Sequence, residues 1–222
     1  MTARSALVLG ATGLVGRSCL ALLLQDRRYA AVHAIVRTPL VPAPPGVHEH
    51  VVKFSALAEA VAAIGATDVF CCLGTTRKKA GSKEAFRQVD YEYPLIAAKS
   101  ALASGAEQFL IVTAQGADAR SWIFYNQVKG EVERDLRALP FPTLHILRPG
   151  LLLGERNELR VGEAIGQAAM RVVGPLFVGA ARKYRAIAGP TVARAMVALA
   201  QKDRRGQHVH DSGELQRLGG ES

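Results

Sequence analysis

Short, unbroken apolar runs alternate with longer stretches whose apolar residues recur every three or four positions, and the two rhythms predict strands and helices in turn. Residues 6–9 form an apolar run that stops at Gly10, the pattern of a strand buried on both faces. Residues 13–24 follow as a helix packed against the sheet, with apolar residues at Leu14, Val15, Leu20, Leu22, Leu23 and Leu24. Residues 31–36 predict a second strand. Residues 39–46 hold four prolines and predict a loop. A short third strand at 51–52, a helix at 57–64, a fourth strand at 68–73 and a polar loop at 74–81 come next. Helices are expected at 82–89 and 91–104, the latter closed by Gly105, then a fifth strand at 108–112. A helix over 121–139 carries Val128, Val132, Leu136 and Leu139 on one stripe. A sixth strand at 143–147 stops at Pro149-Gly150. Two further helices, at 161–173 and 191–201, and a last strand at 207–210 complete the order. Strands alternating with helices at this spacing predict an α/β fold, a doubly wound parallel sheet with right-handed crossovers. Residues 1–222 read as a single domain, with 150–206 a small, mostly helical segment on the substrate side.

Composition narrows the class. With 49% hydrophobic and 21% charged residues, the chain has the balance of a globular domain. No apolar run approaches the roughly 18 residues that span a bilayer, and residues 1–9 lack the length of a signal-peptide core. A cytoplasmic location is therefore expected. Three cysteines, two of them adjacent, make no disulfide framework and read as buried thiols. The net charge of +9 is spread along the chain in modest groups, among them residues 77–83, 182–185 and 202–205. With aromatics at 6% and none interleaved as a stacking platform, no nucleic-acid partner is expected. The pairs His48/His50 and His208/His210 each share one strand face, but no third ligand lies nearby, so they read as solvent-facing strand-end residues and no metal is expected.

The segment Gly10-Ala11-Thr12-Gly13-Leu14-Val15-Gly16 joins the first strand to the first helix. Ligands bind outside the carboxyl ends of strands in such a sheet. Glycines there let a pyrophosphate approach the main chain, and the helix N-terminus offers it unpaired N–H groups. Which dinucleotide binds depends on the end of the second strand. An acid there would take the ribose 2′-hydroxyl of NAD; this chain has Arg37, suited to a 2′-phosphate. NADP(H) is the expected cofactor.

Tyr125 and Lys129 lie four residues apart at the start of the helix after the fifth strand, so they share a helical face. A neighbouring ammonium suits a phenol that gives and takes a proton.

Together, Gly10-x-x-Gly13-x-x-Gly16, Tyr125-x-x-x-Lys129 and Arg148-Pro149-Gly150 resemble the short-chain dehydrogenase/reductase superfamily with its Rossmann fold. Cys71-Cys72-Leu73-Gly74-Thr75-Thr76-Arg77, Gln115-Gly116-Ala117-Asp118 and Lys129-Gly130-Glu131-Val132-Glu133 are similar to the atypical branch holding the Tat-interacting oxidoreductases of animals. The resemblance implies that Leu73, Gly74 and Thr75 line the cofactor, that Tyr125 is the general acid/base, and that Lys129 holds the nicotinamide ribose. It also implies a hydroxyl for the substrate carbonyl after the fifth strand. Relatives tend to show Ser-Ser there; this chain has Thr113-Ala114, so Thr113 is the expected residue. Only about 70 residues follow Pro149, so the substrate pocket is expected to be small, open, or completed by a second subunit in a homodimer. Two functions follow: an NADPH-dependent oxidoreductase acting on a small carbonyl or hydroxyl substrate, or an NADP(H)-binding regulatory or scaffold protein with little turnover.

Overall fold

The computed structural model describes residues 3–153, 186–202 and 204–220. Seven parallel strands form the central sheet: β1 (Arg4–Leu9), β2 (Tyr29–Val36), β3 (Val47–Val51), β4 (Asp68–Cys71), β5 (Gln108–Val112), β6 (Thr143–Arg148) and β9 (Gly206–Asp211). Their order across the sheet is β3-β2-β1-β4-β5-β6-β9. The chain winds outward from β1 to one edge and then from β4 to the other. The order reverses between β1 and β4, and the crevice beyond their carboxyl ends is where such folds take ligands. A separate parallel pair joins β7 (Leu152–Leu153) to β8 (Ile187–Ala188).

Alternation along each strand fills two cores. Ala6, Val8, Leu110 and Val112 face α1 (Leu14–Gln25) and α7 (Gly189–Ala200). Leu7, Leu9, Phe109 and Ile111 face the side covered by α2 (Leu57–Ile64), α5 (Tyr93–Ala103) and α6 (Phe124–Arg137). The sheet is thus buried on both faces, as the unbroken apolar strands require.

At the amino ends of the strands, Asp68 of β4 is fully buried and accepts from Arg4 of β1 at 2.5 and 3.1 Å and from the Tyr29 hydroxyl of β2 at 2.7 Å. A buried carboxylate needs such partners, and this one ties three adjacent strands together away from the ligand crevice. Helix α7 begins against the glycine turn: a Cβ on Gly189 would lie 2.5 Å from Leu14 Cγ. Only glycine admits that approach.

Several expectations are corrected in detail. The loop 74–81 contains a helical turn, α3 (Arg77–Ala80), with Thr76 accepting from the Lys79 amide. Between α4 (Lys83–Arg87) and α5, Gln88–Glu92 is π-helical. An eighth helix, α8 (Ser212–Gly219), was not expected; Asp211 caps it by accepting from the Glu214 amide at 2.8 Å. The helix expected at 161–173 lies outside the described residues.

The histidines do not face solvent as a group. His145 of β6 and His210 of β9 are buried, with His145 Nδ1 2.9 Å from His210 Nε2. At the opposite edge His33 Nδ1 lies 3.0 Å from His50 Nε2, with His48 stacked on the His33 ring. In both places the penultimate strand supplies one ring to a pair two residues apart on the edge strand, and the parallel register aligns them.

Candidate functional site

The glycine turn is built as its spacing requires. Gly10 has φ +81°, and a Cβ there would lie 2.6 Å from the Cys72 carbonyl at the end of β4. Both facts demand glycine. A Cβ on Gly16 would overlap the Gly10 carbonyl, so the first turn of α1 presses directly on the strand end. Gly13 is the N-cap of α1, and no side chain caps the helix there. The positive end of α1 therefore faces the crevice with Thr12 exposed, Leu14 half-buried and Val15 buried behind it.

Leu73, Gly74 and Thr75 run past this turn from β4 toward α6. The Thr75 amide donates to Asp90 Oδ2 at 2.9 Å. Asp90 Oδ1 lies 2.7 Å from Lys129 Nζ, so the carboxylate joins the loop amide to the buried ammonium. A Cβ on Gly74 would stand 3.6 Å from Asp90 Oδ1 and 3.8 Å from Lys129 Nζ, so nothing bulky separates the loop surface from the ion pair. Burial lowers the proton affinity of Lys129, but the Asp90 carboxylate and the Tyr125 phenol more than offset this, and its pKa is raised. Lys129 is held as an ammonium.

Asp90 was not found by sequence reasoning. A lone acid in an amphipathic stretch gives no signal, and the π-helical segment places it inward by shifting the local register.

Tyr125 is half-buried in the first turn of α6, and Phe86 packs with ring centroids 5.7 Å from both Phe124 and Tyr125. The helix is pinned at Gly130, where a Cβ would overlap the backbone of Asp118 and Ala119. Phe124–Lys129 is thus fixed against the loop that follows β5.

Thr113 is placed differently. It is 4% exposed, and its hydroxyl donates to Glu133 Oε1 at 2.6 Å, with the Leu147 carbonyl at 3.2 Å. Glu133 is itself buried and accepts from Arg148 Nε at 3.0 Å and from its terminal nitrogen at 2.5 Å. The single hydroxyl proton of Thr113 is committed to this network, which joins β5, α6 and β6 beneath the site. Two residues on, Gln115 has a buried Oε1 without a partner, at the end of β5 where its amide donates to the Pro149 carbonyl at 2.8 Å.

Arg37 is exposed just beyond β2, its guanidinium 5.7 Å from the Phe54 ring centroid. Phe54 stacks in turn on Tyr93 at 3.8 Å. The structure therefore joins the glycine turn, residues 73–75, Asp90 and Lys129 in one crevice, with Tyr125 on the Lys129 helix and Arg37 at the neighbouring strand end. Among the described residues no group of histidine, cysteine or acidic side chains has the geometry to hold a metal ion, and no helix is long and apolar enough to cross a membrane.

Residues 52–174 match the family model described as HIM1. The rat protein HTATIP2 is 40% identical over 201 residues, covering 89% of this chain and 81% of that one. The Debaryomyces hansenii protein "FMP52, mitochondrial" is 34% identical over 209 residues, covering 89% and 88%. Among solved structures, a Thermotoga maritima UDP-glucose 4-epimerase with UDP-glucose aligns with a TM-score of 0.68 at 13% identity over 97% of this chain and 80% of its own. A short-chain dehydrogenase/reductase superfamily protein from Agrobacterium tumefaciens with bound NAD aligns at 0.66 and 16% identity, covering 94% and 77%. The Rossmann-like fold and the resemblance to the Tat-interacting branch read from the sequence are borne out. The cytoplasmic expectation is not: fungal relatives are named as mitochondrial, and that finding overturns it.

Proposed function

Because this chain belongs to the HIM1 family, together with HTATIP2 and the FMP52 proteins, we propose that it is an NADPH-dependent oxidoreductase of the atypical short-chain type acting on a small carbonyl or hydroxyl compound. One observation carries the reading: a buried ammonium, Lys129, sits behind the Gly74 surface, on the helix that bears Tyr125 and one loop away from the glycine turn.

The residues fit a dinucleotide. Gly10 and Gly16 hold strand and helix close enough for backbone amides to meet a pyrophosphate, and the uncapped start of α1 favours its charge. Arg37 offers a charge-assisted contact to a 2′-phosphate. Lys129, an ammonium with three donors of which Asp90 takes one, suits the hydroxyls of a ribose as a donor. The nucleotide, when bound, supplies or takes up the hydride. Tyr125 gives its hydroxyl proton to the oxygen of the substrate carbonyl as the C–H bond forms, and takes it back in the oxidative direction. Lys129, held charged by Asp90, stabilises the phenolate left behind. With Thr113 committed to Glu133, orientation of the carbonyl falls to Tyr125 and to groups at the end of β5 such as Gln115.

The test has two parts. NADPH should bind about ten- to a hundredfold more tightly than NADH in calorimetric titrations, the value of one hydrogen bond to a charged group, and Arg37→Ala should erase the difference. Tyr125→Phe should bind NADPH as the parent does and reduce a carbonyl panel at least ~10²-fold more slowly. Equal affinity for the two nucleotides refutes the cofactor assignment. Undiminished turnover in Tyr125→Phe refutes the acid.

A further inference from the structure

Beyond β4 the chain carries Arg77, Lys78, Lys79 and Lys83 within seven residues, all exposed. Several arginines elsewhere find carboxylates: Arg4 with Asp68 and Glu107, Arg28 with Asp26, Arg87 with Glu131, Arg134 with Asp135, Arg148 with Glu133. Among the described residues no carboxylate forms a salt bridge with Arg77, Lys78 or Lys83; Glu84, fully exposed beside Lys83, is the lone acid between positions 77 and 87.

Two of these cations converge on one ring. Arg77 Cζ lies 6.0 Å and Lys83 Nζ 5.4 Å from the centroid of Phe124, the residue before Tyr125. Phe86 bridges Phe124 to Tyr125. Two like charges this near one ring raise the local positive potential, and an anion bound beside them relieves it. A guanidinium presents a planar fork to a carboxylate or phosphate, and an ammonium adds a point charge. The ring supplies an apolar face for the carbon skeleton between anion and reacting carbon.

We propose that this site takes a substrate bearing an anionic group, a carboxylate or a phosphate monoester, held by Arg77 and Lys83 over Phe124 while its carbonyl meets Tyr125. The inference rests on the reading of Tyr125 as the proton donor. It gives the cationic loop a role separate from the cofactor, whose phosphates the proposed function assigns to the glycine turn and Arg37.

The experiment measures binding, so it needs no turnover. Protein in saturating NADP+ is titrated by calorimetry with 4-carboxybenzaldehyde, with 4-formylphenyl phosphate, and with the neutral methyl 4-formylbenzoate. At least one anionic aldehyde should bind about tenfold or more tightly than the ester, consistent with charge-assisted contacts at an exposed site. The stronger of the two names carboxylate or phosphate as the better match. In the double variant Arg77→Gln/Lys83→Gln the preference should fall below about threefold, with NADP+ titrating as in the parent. Raising salt from about 50 mM to about 500 mM should weaken the anion and spare the ester. Equal binding of anion and ester, no binding of either anion, a preference that survives the double variant, or a matching loss of NADP+ affinity each overturns the proposal. If the anion preference holds but neither aldehyde is reduced when NADPH replaces NADP+, it is the oxidoreductase reading that falls.

Discussion

Acidifying the protein from about pH 8 to about pH 5 should destabilise it through the β6–β9 edge of the sheet. His145 is fully buried there, paired with His210. Burial, with His210, His208, Arg204 and Lys202 around it, pushes its pKa from 6.5 down to about 3. Glu214, 3.1 Å from His210 Nδ1, is the nearest compensating charge, yet the pKa of His210 is also lowered, chiefly by burial. In the unfolded chain the same imidazole takes up a proton below about pH 6.5. Between the two values the unfolded state binds more protons, so stability falls as pH falls, by about 1.4 kcal/mol per unit once well below 6.5. At about pH 5, His145 alone removes about 2 kcal/mol. That is a large share of the roughly 5–15 kcal/mol that holds a domain together. His33 and His50, whose pKa values burial also lowers, act in the same direction. Asp26 and Asp135, held below the usual carboxylate range, stay charged in this window. Urea unfolding at several pH values measures the slope, and His145→Gln should remove about 2 kcal/mol of it. Equal stability at pH 8 and pH 5, or a variant as acid-sensitive as the parent, refutes the reasoning.

Two further perturbations probe the support of the site. Gly130→Ala places a methyl on the backbone of Asp118 and Ala119 and should cost about 1–3 kcal/mol, read as a lowered thermal midpoint; an unchanged midpoint would mean the helix is not pinned there. Glu133→Ala strands the Arg148 guanidinium and the Thr113 hydroxyl and should cost about 3–5 kcal/mol in urea unfolding, whereas Thr113→Val, which leaves Glu133 paired with Arg148, should cost about 1–3 kcal/mol.

The frame was legible because its signals are local. Each inner strand is an apolar run, and the glycine turn needs its residues at fixed spacing, so β1, β2, β4, β5, β6 and Gly10–Gly16 could be read directly. β3 was read only at its end, because an edge strand lacks the continuous apolar run of a buried one. α8 was missed because it is short and glycine-bearing, although Asp211 followed by Glu214 is a usable capping signal. Asp90 and Glu133 act through partners distant in sequence, Lys129 for one and Thr113 with Arg148 for the other, and periodicity carries nothing about pairing. The histidines misled for the same reason. Two rings on one strand face look solvent-bound until the neighbouring strand supplies a third.

The seat of α7 against Leu14 also bears on how the protein is made. The glycine turn leaves the ribosome roughly 175 residues before Gly189, where the helix that packs on it starts. At about 5–20 residues per second, the first strand–helix unit waits on the order of ten seconds or more with one flank uncovered. During that interval the apolar face of α1, with Val15, Cys19 and Leu23 in the finished core, lacks the partner that α7 supplies. The nascent first unit thus exposes apolar surface until α7 arrives, and a truncation upstream of Gly189 would leave that flank of α1 uncovered.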